Sequence, residues 1–339
     1  MLRSMAKIAV RLDVDNAANR IVEGFYCNSR HVASRLARRF QVLAYHKVSP
    51  DPHPFFEPDH PTAFEQHMRF LSRCYRVMPL MELVERNRRG DIPHRAVAIT
   101  FDDGYRDNYE YAFPILKKYG IPATIFVATG SIDTGEPLWH DRIFDSFRYT
   151  RREHVSLRHI GLRDFSLETD QLRRHSLALV LTRAKELYGH SRCKFVEEVE
   201  KALKPNLPAS LKHRMLTWQQ IREMHQNGIV FGSHTVTHPV LSRIPRDEVV
   251  KELSESKRQL SEHLNTTVCA FAYPNGHSAD YNDEVKTVLK ETGYLCAVNC
   301  ESGFNHVFSD PFEIRRGKPW HKEIELFRMA FFLQRHGLN

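Results

Sequence analysis

Two short stretches of this 339-residue chain hold side chains that can do chemistry together. In Ala98-Ile99-Thr100-Phe101-Asp102-Asp103-Gly104-Tyr105 an apolar β-type run ends in two adjacent carboxylates and a glycine turn. Burying one acid at such a point is costly, and burying two calls for a cation. In Phe231-Gly232-Ser233-His234-Thr235-Val236-Thr237-His238-Pro239 a second β-type run ends in two imidazoles four residues apart. Pro239 disfavours helical geometry at His238, so the pair belongs to a loop. Alone, an Asp-Asp-Gly after a strand is often only a turn, and a His-x-x-x-His pair is often solvated. Together, each closing a buried strand, they describe one centre. Two neutral imidazoles and one carboxylate leave open positions on Zn²⁺ or a similar divalent ion, and the second carboxylate is free to act as a base.

Such a centre needs strands to carry it. Short β-rich apolar runs at 42–45, 75–78, 96–101, 123–127, 229–231, 269–273, 296–298 and 312–314 alternate with helical patterns, which implies a parallel sheet. Val97-Ala98-Ile99 is apolar on consecutive residues, as a strand covered on both faces must be. Helices are signalled at 218–227, ended by Gly228, and at 246–264 with Glu and Lys on the exposed side. The fold class is α/β, with about seven β/α units forming a barrel over 41–320. A polar, Arg-rich, largely helical insertion at 139–217, with a hairpin around 155–167, interrupts the rhythm in the manner of a lid. A basic amphipathic helical extension fills 1–40, its helix running from 15 to about 40 with Val32 and Leu36 on one side and Arg30, Arg35, Arg38 and Arg39 around them. The segment 321–339 reads as a C-terminal helix. In parallel barrels the working residues lie at the C-terminal ends of strands, where both motifs sit.

With 42% hydrophobic and 11% aromatic residues the chain can bury a substantial core, which excludes a disordered polypeptide. No run approaches the roughly 20 apolar residues of a membrane span. Arg3, Lys7, Arg11, Asp13 and Asp15 break up the first segment, so a signal-peptide core is absent and a cytoplasmic protein is expected, peripheral at the inner face of the membrane if its basic terminal helices touch lipid. The six cysteines are scattered and form no zinc-finger or disulfide framework, so buried reduced thiols are expected. The net charge of +8 is spread along the chain without any nucleic-acid-binding signature, and it suits an anionic glycan or lipid head group instead.

Over roughly residues 41 to 316 the sequence resembles the polysaccharide deacetylase family, named for NodB homology and also called carbohydrate esterase family 4. Thr100-Phe101-Asp102-Asp103-Gly104-Tyr105 and Ser233-His234-Thr235-Val236-Thr237-His238 match that family's first two motifs. The resemblance implies a distorted (β/α) barrel, Asp102 as catalytic base, and Asp103, His234 and His238 as ligands of one divalent ion, Zn²⁺ with Ni²⁺ or Co²⁺ as alternatives. The third motif departs: Ala272 stands where the family has the Arg that orients the base, so Arg315 or Arg316 is expected in its place. The late motif that carries the general acid is also missing from the C-terminal region. Both departures fit the circularly permuted branch that includes poly-N-acetylglucosamine deacetylases, in which the acid-bearing strand comes first and His46 becomes the general acid. The implied reaction removes N-acetyl groups from an N-acetylhexosamine glycan or a lipid-linked oligosaccharide, releasing acetate. An N–H in the Tyr273-Pro274-Asn275 loop would hold the oxyanion, and Tyr45, Tyr105, Trp139 and Tyr273 would offer stacking surface to sugar rings. A same-fold hydrolase of a small amide and an inactive glycan-binding relative are the alternatives.

Overall fold

A computed structural model describes residues 2–18, 38–211, 213–318 and 321–336. The ten strands among these described residues are β1 (Arg39–Tyr45), β2 (Arg76–Val77), β3 (Ala96–Phe101), β4 (Ala123–Val127), β5 (His154–Ser156), β6 (Asp164–Ser166), β7 (Val230–Ser233), β8 (Ala270–Ala272), β9 (Cys296–Val298) and β10 (Asn305–His306). The main sheet runs β10-β1-β3-β4-β7-β8-β9, with β2 paired to β3. All its pairs are parallel except β1 with β10. This is a distorted barrel with seven strands on its path. The gap between β9 and β1 is closed by residues 314–317, where single parallel bridges join Val298 to Ile314 and Leu43 to Gly317. The run expected as a strand at 312–314 is therefore a bridge point, because its next residues cross to the far edge instead of extending along β9.

Alternation along these strands decides what faces the interior. Phe40 and Val42 of β1, Ala96 and Ala98 of β3, Phe126 of β4, Ala270 and Ala272 of β8, Cys296 and Val298 of β9, and Ile314 form one buried cluster. The intervening Leu43, Val97, Ile99, Ile125, Phe271 and Ala297 belong to a second cluster shared with the surrounding helices. The interior is too narrow for a side chain on β7: a Cβ at Gly232 would lie 2.5 Å from the Phe126 ring and 2.9 Å from the Ala270 carbonyl oxygen. Gly232→Ala is expected to cost about 1–3 kcal/mol by overpacking. Chemical denaturation checks this, and an unchanged midpoint would show that Phe126 can move aside.

Between β4 and β7 lie helices Trp139–Tyr149, Asp170–Lys185 and Gly189–Leu203 and the antiparallel hairpin β5-β6. They have their own core, which includes Phe147, Leu157, Val180 and Val199. Arg142 ties the first of these helices to the third through both carboxylate oxygens of Glu200, at 2.8 and 2.6 Å.

The ends of the chain differ from expectation. Arg38 and Arg39 are not helical: Arg38 donates to the Ile92 carbonyl at 3.0 Å and Arg39 opens β1 opposite His306, sheet pairing overriding the helical pattern. Val32, Leu36, Arg30 and Arg35 lie outside the described residues. Helix Leu2–Arg11 packs on helix Ile324–His336, and Arg328 reaches Asp13 and Asp15 at 2.6–3.0 Å. These terminal helices thus turn toward each other, and their Lys7 and Arg328 are engaged in ion pairs with Glu323, Asp13 and Asp15. No helix among the described residues is long and apolar enough to cross a membrane. Of the free cysteines, Cys296 and Cys300 are buried, whereas Cys193 is exposed.

Candidate active site

The inward parity of each strand continues past its end. Ala44 leads to His46, Thr100 to Asp102, Gly232 to His234 and Ile314 to Arg316, so four polar side chains meet just above the apolar filling of the barrel. Arg316 is fully buried, and its two terminal nitrogens grip Asp102 at 2.7 and 2.6 Å. The first of these also reaches Thr100 Oγ1 at 3.2 Å, while Nε donates to the Asn299 carbonyl at 2.7 Å. Arg315 has the opposite parity: it is exposed, and its backbone pairs with Asn305. Of the two arginines considered from sequence, Arg316 is the one that meets Asp102. Burial alone would raise the Asp102 carboxyl, but Arg316 and the nearby His234 hold it well below the usual carboxylate range.

Asp103 turns away from its neighbour because the backbone enters the left-handed region there, φ 75°, followed by Gly104 at 84°. Asp tolerates this better than most residues. The turn brings Asp103 Oδ1 within 3.5 Å of Nε2 of both His234 and His238. Donor atoms of the three residues all lie within 4.8 Å of one another, and all three side chains are buried. Asp103 Oδ1 is buried without a hydrogen-bond partner. Burial, then Asp102 and Asp141, push its carboxyl well up, while burial drives both histidines down toward the neutral form. An orphaned carboxylate oxygen between two neutral imidazoles is the donor set that a divalent cation satisfies, so the residues fit a metal ion.

The histidines are held in different ways. His234 Nδ1 bonds the Ala272 carbonyl at 2.7 Å, which directs Nε2 to the cluster. His238, at φ 56°, follows Thr235, at 67°. The intervening loop is held by Glu252, whose carboxylate accepts the N–H groups of Val236 and Thr237 at 2.7 and 2.9 Å.

His46 Nε2 stands 3.8 Å from Asp102 Oδ2. Its side chain keeps 24% of its surface exposed, yet burial lowers it to about 3 against the opposing pull of Asp102, with Arg316 and Lys318 lowering it further. Next to it, Lys47 donates to Asp141 at 2.8 Å and lies over the rings of Phe56 and Tyr105 at 4.7 and 4.2 Å. Burial would raise Asp141, but Lys47, His140 and Arg214 hold it at about 2. Lys47 borders two cavities, one of about 380 Å³ that includes His46 and Phe56 and one of about 550 Å³ that includes Tyr105 and Arg148.

The aromatic residues expected to line the mouth are mostly spent elsewhere. Tyr273 is buried, donates its hydroxyl to the Phe312 carbonyl at 2.9 Å and stacks on Tyr281. Trp139 Nε1 donates to the His238 carbonyl at 2.9 Å, behind the histidine. Tyr105 is buried, with its hydroxyl 3.2 Å from His140 Nε2. In the loop after β8, the Tyr273 N–H goes to the Val298 carbonyl at 3.1 Å and Pro274 has none, which leaves Asn275 as its N–H donor.

The model of the polysaccharide deacetylase family matches residues 89–297, well over half of the chain. The chain belongs to the polysaccharide deacetylase family. Among members of this family, the Bacillus subtilis (strain 168) chain YxkH, named as a polysaccharide deacetylase, is 26% identical over 78% of this chain and 66% of its own length. The Staphylococcus aureus (strain MSSA476) poly-beta-1,6-N-acetyl-D-glucosamine N-deacetylase is 36% identical, over 34% of this chain and 37% of its own length. This chain therefore spans less than two thirds of either relative. Two solved structures share the fold: the Streptococcus pyogenes deacetylase PplD in complex with acetate and IcaB from Ammonifex degensii. Each has a TM-score of 0.57, with 22% and 19% identity, covering 86% and 87% of this chain and 98% and 97% of the neighbour.

Lys47, His140, Asp141, Arg192 and Glu252 were not foreseen. Lys47 follows His46 directly, but Glu252 lies on a helix whose acids read as a solvated face, and Arg192 looks like any charge of the insertion.

Proposed function

We propose that this polysaccharide deacetylase homologue is a metal-dependent hydrolase that removes N-acetyl groups from an N-acetylhexosamine glycan and releases acetate. The observation that carries the reading is the division of labour between adjacent carboxylates: Asp102 is gripped by Arg316, and Asp103 faces two imidazoles. A divalent cation held by Asp103, His234 and His238 would polarise the acetamide carbonyl and acidify the attacking water. Asp102, kept ionised by Arg316, takes the proton from that water. The Asn275 N–H donates to the developing oxyanion. His46, whose Nε2 stands 3.8 Å from Asp102 Oδ2, is the general acid that gives a proton to the departing amine. The 380 Å³ cavity beside His46 is of a size to take a sugar residue.

Two imidazoles and a carboxylate favour Zn²⁺, with Ni²⁺ and Co²⁺ as rivals to be ranked by reconstitution. The excess of positive charge, +8, favours a glycan that is anionic or carried on an anionic lipid. Comparing KM for lipid-linked and free oligosaccharides, together with cell fractionation, tests that refinement.

Acetate release from N-acetylglucosamine oligomers tests the whole reading. Release should disappear on chelation and return with metal; no release from any saccharide by fully metal-loaded protein would overturn it. His46→Gln is expected to lower kcat on these amides by about 10²–10⁴ with KM little changed. Acetyl esters with good leaving groups should be far less affected, since their departing oxygen needs no proton, and an equal loss on both substrates would remove His46 from the role of acid.

A further inference from the structure

We propose that Arg192 is a positioning residue for the metal centre, through which the helical insertion sets the place of His238. The inference rests on the metal-dependent reading above. His238 lacks the support that His234 has: its Nδ1 is buried without a hydrogen-bond partner, so no carbonyl or carboxylate fixes the ring through its second nitrogen. Its backbone is in the left-handed region, which a β-strand end does not impose on a histidine. Something else must hold it there.

What holds it comes from the insertion. Arg192, on helix Gly189–Leu203 and 3% exposed, donates to the His238 carbonyl at 3.2 Å and to the Thr237 carbonyl and Oγ1 at 2.8 and 3.2 Å. Trp139, at the start of helix Trp139–Tyr149, donates to the same His238 carbonyl at 2.9 Å and lies under the Arg192 guanidinium at 5.2 Å. The His140 ring meets the His238 ring edge to face at 4.9 Å. On the opposite side Glu252 accepts the N–H groups of the preceding residues. The loop is thus held from both sides, its carbonyls by the insertion and its N–H groups by the barrel helix Arg246–Leu264. Burying a guanidinium to bind carbonyls is a poor way to stabilise an insertion that already has an apolar core of its own. Fixing the direction of a metal ligand gives that burial a use.

The test is calorimetric titration of the full chain with Zn²⁺ alone, alongside thermal midpoints. Arg192→Met should weaken Zn²⁺ binding by about 10–100-fold, and Arg192→Lys should recover part of the loss, because an ammonium can reach one carbonyl but not both. Trp139→Phe, which keeps an aromatic ring but loses the Nε1 donor together with the pyrrole ring, should weaken binding in the same direction and carries the test if Arg192→Met does not fold. Arg142→Met, which unties two helices of the insertion away from the loop, should lower the thermal midpoint and leave Zn²⁺ affinity at the wild-type level. Wild-type affinity in Arg192→Met and Trp139→Phe, or an equal loss in Arg142→Met, overturns the proposal while leaving the functional reading intact. Wild-type protein that binds none of Zn²⁺, Ni²⁺ and Co²⁺ overturns both.

Discussion

Asp102→Asn is expected to lower kcat for acetate release by about 10²–10⁴ while metal affinity stays at the wild-type level. An asparagine keeps the shape but cannot take a proton from water, and the proposed metal ligands are Asp103, His234 and His238. The same change should also destabilise the fold. It leaves Arg316, fully buried, without its counter-charge, a loss of about 3–5 kcal/mol in comparable buried pairs. The sign of the pH dependence follows from the depressed folded-state pKa. Asp102 contributes its full stabilisation above the unfolded carboxylate value of about 3.9, and the contribution is lost as pH falls toward the folded value. Wild type and Asp102→Asn should therefore differ most in denaturation midpoint near neutral pH and converge in strong acid. The complementary variant Arg316→Met leaves Asp102 buried without a cation, so burial raises its pKa and the acid limb of the pH–rate profile should move to higher pH. A profile with an unmoved acid limb would separate Arg316 from the base.

Asp103→Asn should do the reverse to stability. Burial and the neighbouring carboxylates Asp102 and Asp141 push Asp103 up, so in metal-free protein near pH 7 it is a liability. Neutralising it is expected to stabilise the metal-free chain by about 1–3 kcal/mol. For the wild type without metal the raised folded-state pKa means that stability gained below the unfolded value is lost as pH rises through the folded value. Added Zn²⁺ should raise the wild-type thermal midpoint through preferential binding to the folded state, and it should do little for Asp103→Asn. Activity of the variant should fall with its metal occupancy. Thermal scans with and without Zn²⁺ read both effects, and a metal-free variant less stable than wild type would mean that Asp103 supports the fold rather than a cation.

Much of this centre was legible in residue order because strand alternation is a local property. Thr100-Phe101-Asp102 and Gly232-Ser233-His234 announce both the strand and the side that its last residue faces, and β3, β4 and β9 begin and end where their apolar runs do. The same alternation separates Arg316 from Arg315 once Ile314 is known to point inward, but that depended on a pairing across the whole barrel. Sequence spacing carries no signal for such a long-range contact. Arg192 and Glu252 were hidden for a related reason: a charged residue on an amphipathic helix looks solvated until a loop from elsewhere covers it. Trp139 and Tyr273 were placed by type alone, and each has a polar atom whose nearest carbonyl turned it away from the mouth.

The closure of the barrel by residues 314–317 also orders events during synthesis. His46 leaves the ribosome early and Asp102 soon after, but the guanidinium that keeps Asp102 ionised arrives more than 200 positions later, together with the bridge to Leu43. A nascent chain can form β1, β3 and β4 beside one another and still lack the cation that pairs with Asp102. Contacts of such long sequence separation are entropically slow to close. On the proposed mechanism, a chain that ends before Arg316 is expected to release no acetate rather than a fraction of the full-length amount.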